Sequence, residues 1–333
     1  MKDIARMLGV SVATVSRALK DSPNISKEQR EKIQAFAREH NYYPNIFAEQ
    51  LRRSKMGPAK VIGVIIPQFV HHYFSEVLSG IEEEAVKQGY RIIVAQSNEK
   101  YEREVEICES FFQNKVCGII VSQAKDTQNF DHFVRMIDNG VPMVFYDRIC
   151  AGINCNRVVV DDYQAAFNAV NYLIERGAKR VSYFSTQLNM EIGKNRYNGY
   201  KDAILKAGLE FDENLVKICD NRDDAELVAP GLLSGPNAPD AVFTVNDDTA
   251  LGVLYTAKRL GIRVPQDLMI CGFTNDVHAV SSDPMLTTVD QHGEEVGRQA
   301  VKILVDRLVG LHPIDHVEKR IVKTNLVVRG TTR

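Results

Sequence analysis

The chain of 333 residues is 44% apolar and 25% charged, enough apolar sequence for more than one buried core and so for two or three domains. No apolar run approaches the ~18 residues of a membrane span. The N-terminal stretch is amphipathic where a secretory leader is apolar, so a cytoplasmic protein is expected. A net charge of −2 hides an asymmetry, because residues 1–60 carry twelve Lys or Arg against six Asp or Glu, leaving 29 of the 41 basic and 37 of the 43 acidic residues to the rest. A head of net charge +6 on a body of −8 suits contact with phosphate at one end only.

In the opening run from Met1 to Leu8, Ile4, Ala5 and Leu8 share one helical face, and Gly9 ends the helix in a turn that tolerates positive φ. Ser11 is placed to cap a second helix from Val12, in which Val15 and Leu19 turn inward with Val10. Val12, Ala13, Ser16 and Arg17 then face outward. Short side chains let a helix approach base edges, and an arginine there forms a bidentate pair with guanine or holds a phosphate. Ser26 and Gln29 form a capping box that opens a helix through His40, with Ile33, Phe36 and Ala37 closing a three-helix core. A helical hairpin inside a larger core is the alternative, and the glycine turn with that outer face weighs against it.

Residues 52–60 form a polar joint containing Gly57-Pro58, and Val61 to Pro67 is a continuous β-branched run of the kind buried in parallel sheets. Helices are expected over 73–88, 101–114 and 129–138, with strands over 90–95, 118–121 and 142–146. A second series follows, with helices over 163–176, 196–207 and 248–260 and strands over 180–184, 215–218, 241–245 and 269–273. Two βα series predict two similar lobes. Ligands of such sheets bind beyond the carboxyl ends of the strands. Those ends supply Tyr73, Phe74, Asp147, Arg148, Asn246, Thr274, Asn275 and Asp276, and Arg196 opens a helix facing the same gap. Carboxylates, amides and a guanidinium over an aromatic wall suit a sugar, whose hydroxyls donate and accept while its C–H faces stack. Asp161, Asp162 and Asp247 fit helix capping or ligand contact equally well.

Asp3-Ile4-Ala5, Gly9-Val10-Ser11, the run from Ala13 to Leu19 and Tyr43-Pro44-Asn45 resemble the headpiece of the LacI/GalR family of bacterial transcription regulators. The body resembles it through Gly80-Ile81-Glu82, Asp147-Arg148, Asn246-Asp247, Arg263-Val264-Pro265, Gly272-Phe273 and the run from Leu286 to Val289. The resemblance implies an all-α helix-turn-helix headpiece over 1–46, a hinge helix and linker over 47–59, and an α/β two-lobed periplasmic-binding-protein-like (type I) core over 60–333. One lobe would span about 60–160 and 290–320, the other about 161–289 and 321–333. It implies DNA contacts from Ser11, Val12, Ala13, Thr14, Ser16, Arg17, Asn24, Asn45, Ala48 and Leu51, the last entering the minor groove as an apolar wedge. It further implies an effector site of Tyr73, Phe74, Asp147, Arg148, Arg196, Asn246, Thr274 and Asn275. Where many members place Asp after Gly-Phe, Thr274 stands here, so Asn275 or Asp276 is expected to take over that grip.

The partners expected are a palindromic double-stranded operator, a second copy of the chain and a sugar or sugar derivative; the sign of the ligand's effect on DNA binding stays open. The alternatives are a sugar-binding enzyme of kinase type and a solute-binding transport protein. The phosphate loop, dinucleotide, nucleophile-elbow and zinc-helix motifs do not occur. His71-His72, at the mouth of the cleft, could serve as acid or base, but one or both are read as solvated. No metal or cofactor is expected, and the six cysteines are read as reduced core thiols, the spacing of Cys150 and Cys155 being poor for a metal.

Overall fold

The computed structural model describes residues 2–19, 25–39, 60–150, 152–313 and 316–333, with the side chains of 2–4, 16, 38 and 39 outside the description. Asn24, Asn45, Ala48, Leu51 and the side chain of Ser16 therefore lie outside the described residues. The chain divides into two compact units, Met1–Ala59 and Lys60–Arg333.

In the first unit, α1 (Lys2–Met7), α2 (Val12–Ala18) and α3 (Lys27–Glu39) surround a small core. Gly9 has φ +63, the left-handed conformation that lets the chain turn between α1 and α2. Val10 N donates to Ala5 O at 3.0 Å across that turn. The Ser11 side chain caps α2 by accepting from Thr14 N at 3.1 Å. Ala5, Val15, Ala18, Ile33 and Ala37 are buried, with Leu8, Val10, Leu19 and Phe36 packed around them. Gln34 Nε2 ties α3 to the end of α2 through Ala18 O at 2.9 Å.

The second unit begins with β1 (Val61–Ile66), α4 (His72–Lys87), β2 (Arg91–Gln96), α5 (Tyr101–Gln113), β3 (Gly118–Val121), α6 (Asp131–Asp138), β4 (Met143–Tyr146) and β5 (Asn156–Val160). It continues with α7 (Asp162–Glu175), β6 (Val181–Ser185), α8 (Glu191–Lys206), β7 (Val216–Ile218), α9 (Arg222–Leu233), β8 (Ala241–Thr244) and α10 (Asp247–Arg259). Then come β9 (Met269–Thr274), α11 (Val277–Ser281), β10 (Thr287–Asp290), α12 (Gly293–Leu308), β11 (Lys319–Val322) and β12 (Asn325–Val327). The first sheet runs β11-β5-β4-β3-β1-β2, with every neighbour parallel. The second runs β12-β10-β9-β8-β6-β7 and is parallel except for β12.

Both sheets are covered on both faces, which is why their strands read as unbroken apolar runs. In β1, Ile62, Val64 and Ile66 face the core under α4 and α12, whereas Ile65 faces Cys108 and Phe111 of α5. In β9, Met269, Cys271 and Phe273 face α7 and α8, and Ile270 faces α10. The chain passes from one sheet to the other after β5, after β10 and after β11.

The elements β5, α9, α11, β10, α12, β11 and β12 were not specified by the sequence pattern. Pro230 inside α9 breaks its helical signal, and the stripe of Val296, Ala300, Val301 and Leu304 on α12 does not say which sheet it covers. Helix α8 starts at Glu191, so Arg196 stands within the helix where the sequence suggested that it opens it. No helix among the described residues is long and apolar enough to cross a membrane. The six cysteines are free thiols, five of them buried, and burial pushes Cys155 and Cys219 up to about 12.

Candidate functional site

On α2, the inward pair Val15 and Ala18 leaves Val12, Ala13 and Arg17 exposed. Ser11 and Thr14 are partly engaged with one another, Oγ to Oγ1 at 2.9 Å, so their first duty is the cap. The outer face that remains is short at Ala13, apolar at Val12 (43% exposed) and cationic at Arg17.

In the core, the loops after the carboxyl ends of β1, β3, β4, β6, β7, β8 and β9 converge on one cleft, at the strand ends where ligands of parallel sheets bind. From the first lobe come Tyr73 and Phe74, which pack edge-to-face at 5.6 Å and are almost wholly buried. Asp147, at φ +57, presents a carboxylate only 8% exposed whose nearest cation is Arg148 Nε at 3.9 Å. It has no hydrogen-bond partner among the described residues, and burial holds its pKa above the usual carboxylate range. Arg148 NH1 donates to both carboxylate oxygens of Glu99 at 2.8 and 2.7 Å.

The second lobe is organised by two buried acids. Asp162 accepts from Arg196 Nε at 2.8 Å. Arg196 NH1 donates to Val245 O at 2.7 Å, and its guanidinium carbon lies 3.7 Å from the centre of the Phe273 ring. Burial raises Asp162 to about 6 against the pull of Arg196. Asp247 is wholly buried and accepts from Thr288 Oγ1 at 2.6 Å, Thr274 Oγ1 at 3.2 Å and Asp276 N at 2.9 Å. Burial first, and Asp276 second, push it to about 8. A Cβ at Gly272 would come within 2.0 Å of its Oδ1, which explains the glycine before Phe273. Asp247 thus anchors the loop at Thr274 and Asn275, whose φ values of +117 and +60 carry strain that this network sustains.

The cleft is lined by Tyr73, Phe74, Asp147, Arg148, Arg196, Asn246, Thr274 and Asp276. Asn275 is a correction. Its Nδ2 donates to Asp290 Oδ2 at 2.9 Å and its Oδ1 accepts from Arg329 NH2 at 2.6 Å, because the left-handed turn carries its side chain toward β10. Asn246 lines the cleft but caps α10 through Thr249 N at 2.8 Å and donates to Asp220 O at 2.7 Å. Asp161 caps α7 through Gln164 N at 3.0 Å.

Sequence reasoning missed Lys125, Thr186, Asp220 and Asp248, which also line the cleft. Lys125 Nζ meets Asp220 Oδ2 at 2.8 Å, joining the two lobes, and Thr186 Oγ1 donates to the same oxygen at 2.8 Å. The loop carrying Lys125 is pinned by Glu99, which accepts from Lys125 N at 2.9 Å, and by fully buried Glu104, which accepts from Ala124 N, Thr127 Oγ1 and His132. The signal available was their place just after β3, β6, β7 and β8. His71 is half-buried and its pKa is lowered by burial, Arg148 and Lys125. Elsewhere, His312, His316 and Glu318 bring ligand atoms within 4.8 Å of one another, but Arg320 Nε holds Glu318 at 2.6 Å.

Residues 1–45 match the family model of bacterial regulatory proteins, lacI family, and residues 170–332 match that of the periplasmic binding protein-like domain. The HTH-type transcriptional repressor CytR of Escherichia coli (strain K12) is 33% identical over all of this chain and 96% of its own length. The ribose operon repressor of Bacillus subtilis (strain 168) is 30% identical over 92% of this chain and 90% of its own. Among solved structures, a complex of the regulator CelR with cellobiose superposes with a TM-score of 0.75 at 26% identity, covering 98% of each chain. The Lac repressor dimer bound to operator and the anti-inducer ONPF shares the fold, with a TM-score of 0.80 at 22% identity over 99% of this chain and 98% of that one. The chain belongs to the lacI family of bacterial regulatory proteins.

Proposed function

We propose that this regulator is a repressor that binds a palindromic operator as a homodimer and is controlled by a sugar or sugar derivative held in the cleft. The observation that carries the effector reading is the buried carboxylate of Asp147, without a protein hydrogen bond among the described residues, in the same cleft as Arg196 and an aromatic wall. Hydroxyls donate to such a carboxylate and accept from a guanidinium, while sugar C–H faces lie on Phe74. The cellobiose bound by CelR supports a ligand of this chemistry.

On the DNA side, Val12, Ala13 and Arg17 face the major groove, and Leu51 enters the minor groove with Asn45 and Ala48 on the same hinge helix, a reading that the family resemblance supports. Exposed Leu227 (82%), Val277 (49%) and Val280 (54%) on α9 and α11 support a second copy packed on the core, as does the dimeric state of the Lac repressor on its operator. Ligand shifts the lobe arrangement, and hence operator affinity, by a coupling of about 1–3 kcal/mol.

The test is selection of a binding sequence from random DNA, followed by gel shifts with and without sugars that raise the melting temperature. A palindromic consensus whose affinity changes with one sugar is expected. Equal binding to scrambled DNA would defeat the DNA reading, and operator affinity indifferent to every stabilising sugar would defeat the coupling.

A further inference from the structure

We infer that the cleft accepts an uncharged polyhydroxylated effector and rejects phosphorylated ones, and that Glu99 and Asp220 set this choice. The inference rests on the reading of the cleft as a sugar site and concerns the charge of its ligand. Three cations reach the cleft, and each is already matched to a carboxylate: Lys125 to Asp220 at 2.8 Å, Arg148 to Glu99 at 2.7 Å and Arg196 to Asp162 at 2.8 Å. Asp147, Asp248 and Asp276 add further acids to its wall. Among the described residues the wall thus holds three cations and four carboxylates, with Glu99 and Asp162 standing behind it as partners of Arg148 and Arg196.

A phosphate ester brings about 1.5 to 2 negative charges. To bind Lys125 or Arg148 it must expel a carboxylate that would then stand largely desolvated without its partner. The N-termini of α4 and α8 border the cleft without a side-chain cap, so the exclusion rests on the paired cations and on the third helix start at the cleft. The start of α10 is capped by Asn246 and followed by Asp247 and Asp248, acids that occupy the place where a phosphate would sit. Hydroxyls meet no such obstacle, since Asp147 lacks a hydrogen-bond donor among the described residues and Arg196 donates only through Nε and NH1 there.

The test uses the full-length protein with glucose, fructose, ribose, xylose and cellobiose and a monophosphate of each, compared by thermal shift and then by calorimetry on every compound that shifts. The expected result is binding by free sugar, with its phosphate weaker by at least about 100-fold. Glu99→Gln and Asp220→Asn, by releasing Arg148 and Lys125, are each expected to narrow that ratio about tenfold, and either variant that melts cooperatively decides the point. Lys125→Gln is expected to leave the ratio equal or wider. A phosphate that binds as well as its parent sugar, or a ratio unmoved by both Glu99→Gln and Asp220→Asn, would overturn the inference. Silence from sugars and phosphates alike would instead overturn the sugar reading of the cleft.

Discussion

On α2 the side chains proposed to meet DNA stand exposed above a small core, so truncating Arg17 removes little buried surface. In the cleft the reverse holds. Arg196 and Asp162 are each 5% exposed in their side chains, and Arg148 and Glu99 only 9% and 13%. A surface that must enter a groove can be left unpartnered because the partner arrives from outside. A surface that must desolvate a small molecule has to be desolvated beforehand, so its charges are paired within the protein and their removal costs stability as well as binding.

That contrast is sharpest at Arg196. Arg196→Ala leaves Asp162 buried without its partner, and a loss of about 3–5 kcal/mol in unfolding free energy is expected, together with loss of any sugar-induced thermal shift. Chemical denaturation of variant and parent checks the first, and a titration with a stabilising sugar checks the second. Unchanged stability would remove the distinction between the two regions.

Arg17→Ala should behave in the opposite way. Melting stays as in the parent, operator affinity falls by about 1–3 kcal/mol and discrimination weakens at one base pair per half-site. Gel shifts on single-base operator variants, run beside a melt, measure both, and a lowered melting temperature with intact discrimination would move Arg17 to the structural class. Ser11→Ala sits between them. It removes the cap on α2, so a headpiece destabilised by about 1 kcal/mol is expected, readable as faster amide exchange in α2 than in α3. Weaker DNA binding without that change in exchange would make Ser11 a DNA contact first.

A dependence on pH concerns Asp247, which supports the strained loop at Thr274. The folded chain keeps its proton to about pH 8, whereas its ordinary value is 3.8. Folding therefore binds a proton between those values, and stability falls as pH rises through that window. Asp247→Asn should flatten the decline without abolishing it, because Glu76, raised to about 7 chiefly by burial, acts in the same direction. Melting curves at a series of pH values measure this, and parallel curves for variant and parent would show that Asp247 does not carry the dependence.

Much of the arrangement was legible in local pattern. The β-branched run at 61–66, the glycine at position 9 and the capping serine at 11 each state a backbone preference that the structure realises. The cleft was legible only in part. Residues directly at strand ends, such as Asp147 and Asn246, follow from the rule for parallel sheets, whereas Lys125 sits deeper in the loop after β3 and Asp220 follows β7, a strand of only three residues. Asn275 shows the limit plainly, since its neighbours Thr274 and Asp276 line the cleft while its own side chain is held by Asp290 and Arg329, residues distant along the chain.

The sequence by itself determined the helical headpiece, the two βα series and their order, because helix caps, glycine turns and apolar periodicity act over a few residues and need no distant partner. Only the tertiary structure decided which strands adjoin, that α12 covers the first sheet, and which charges meet. The pairs Lys125 with Asp220, Arg148 with Glu99 and Arg196 with Asp162 are separated by 95, 49 and 34 positions along the chain. An ion pair leaves no periodicity behind; it exists only where folding brings both charges out of water together.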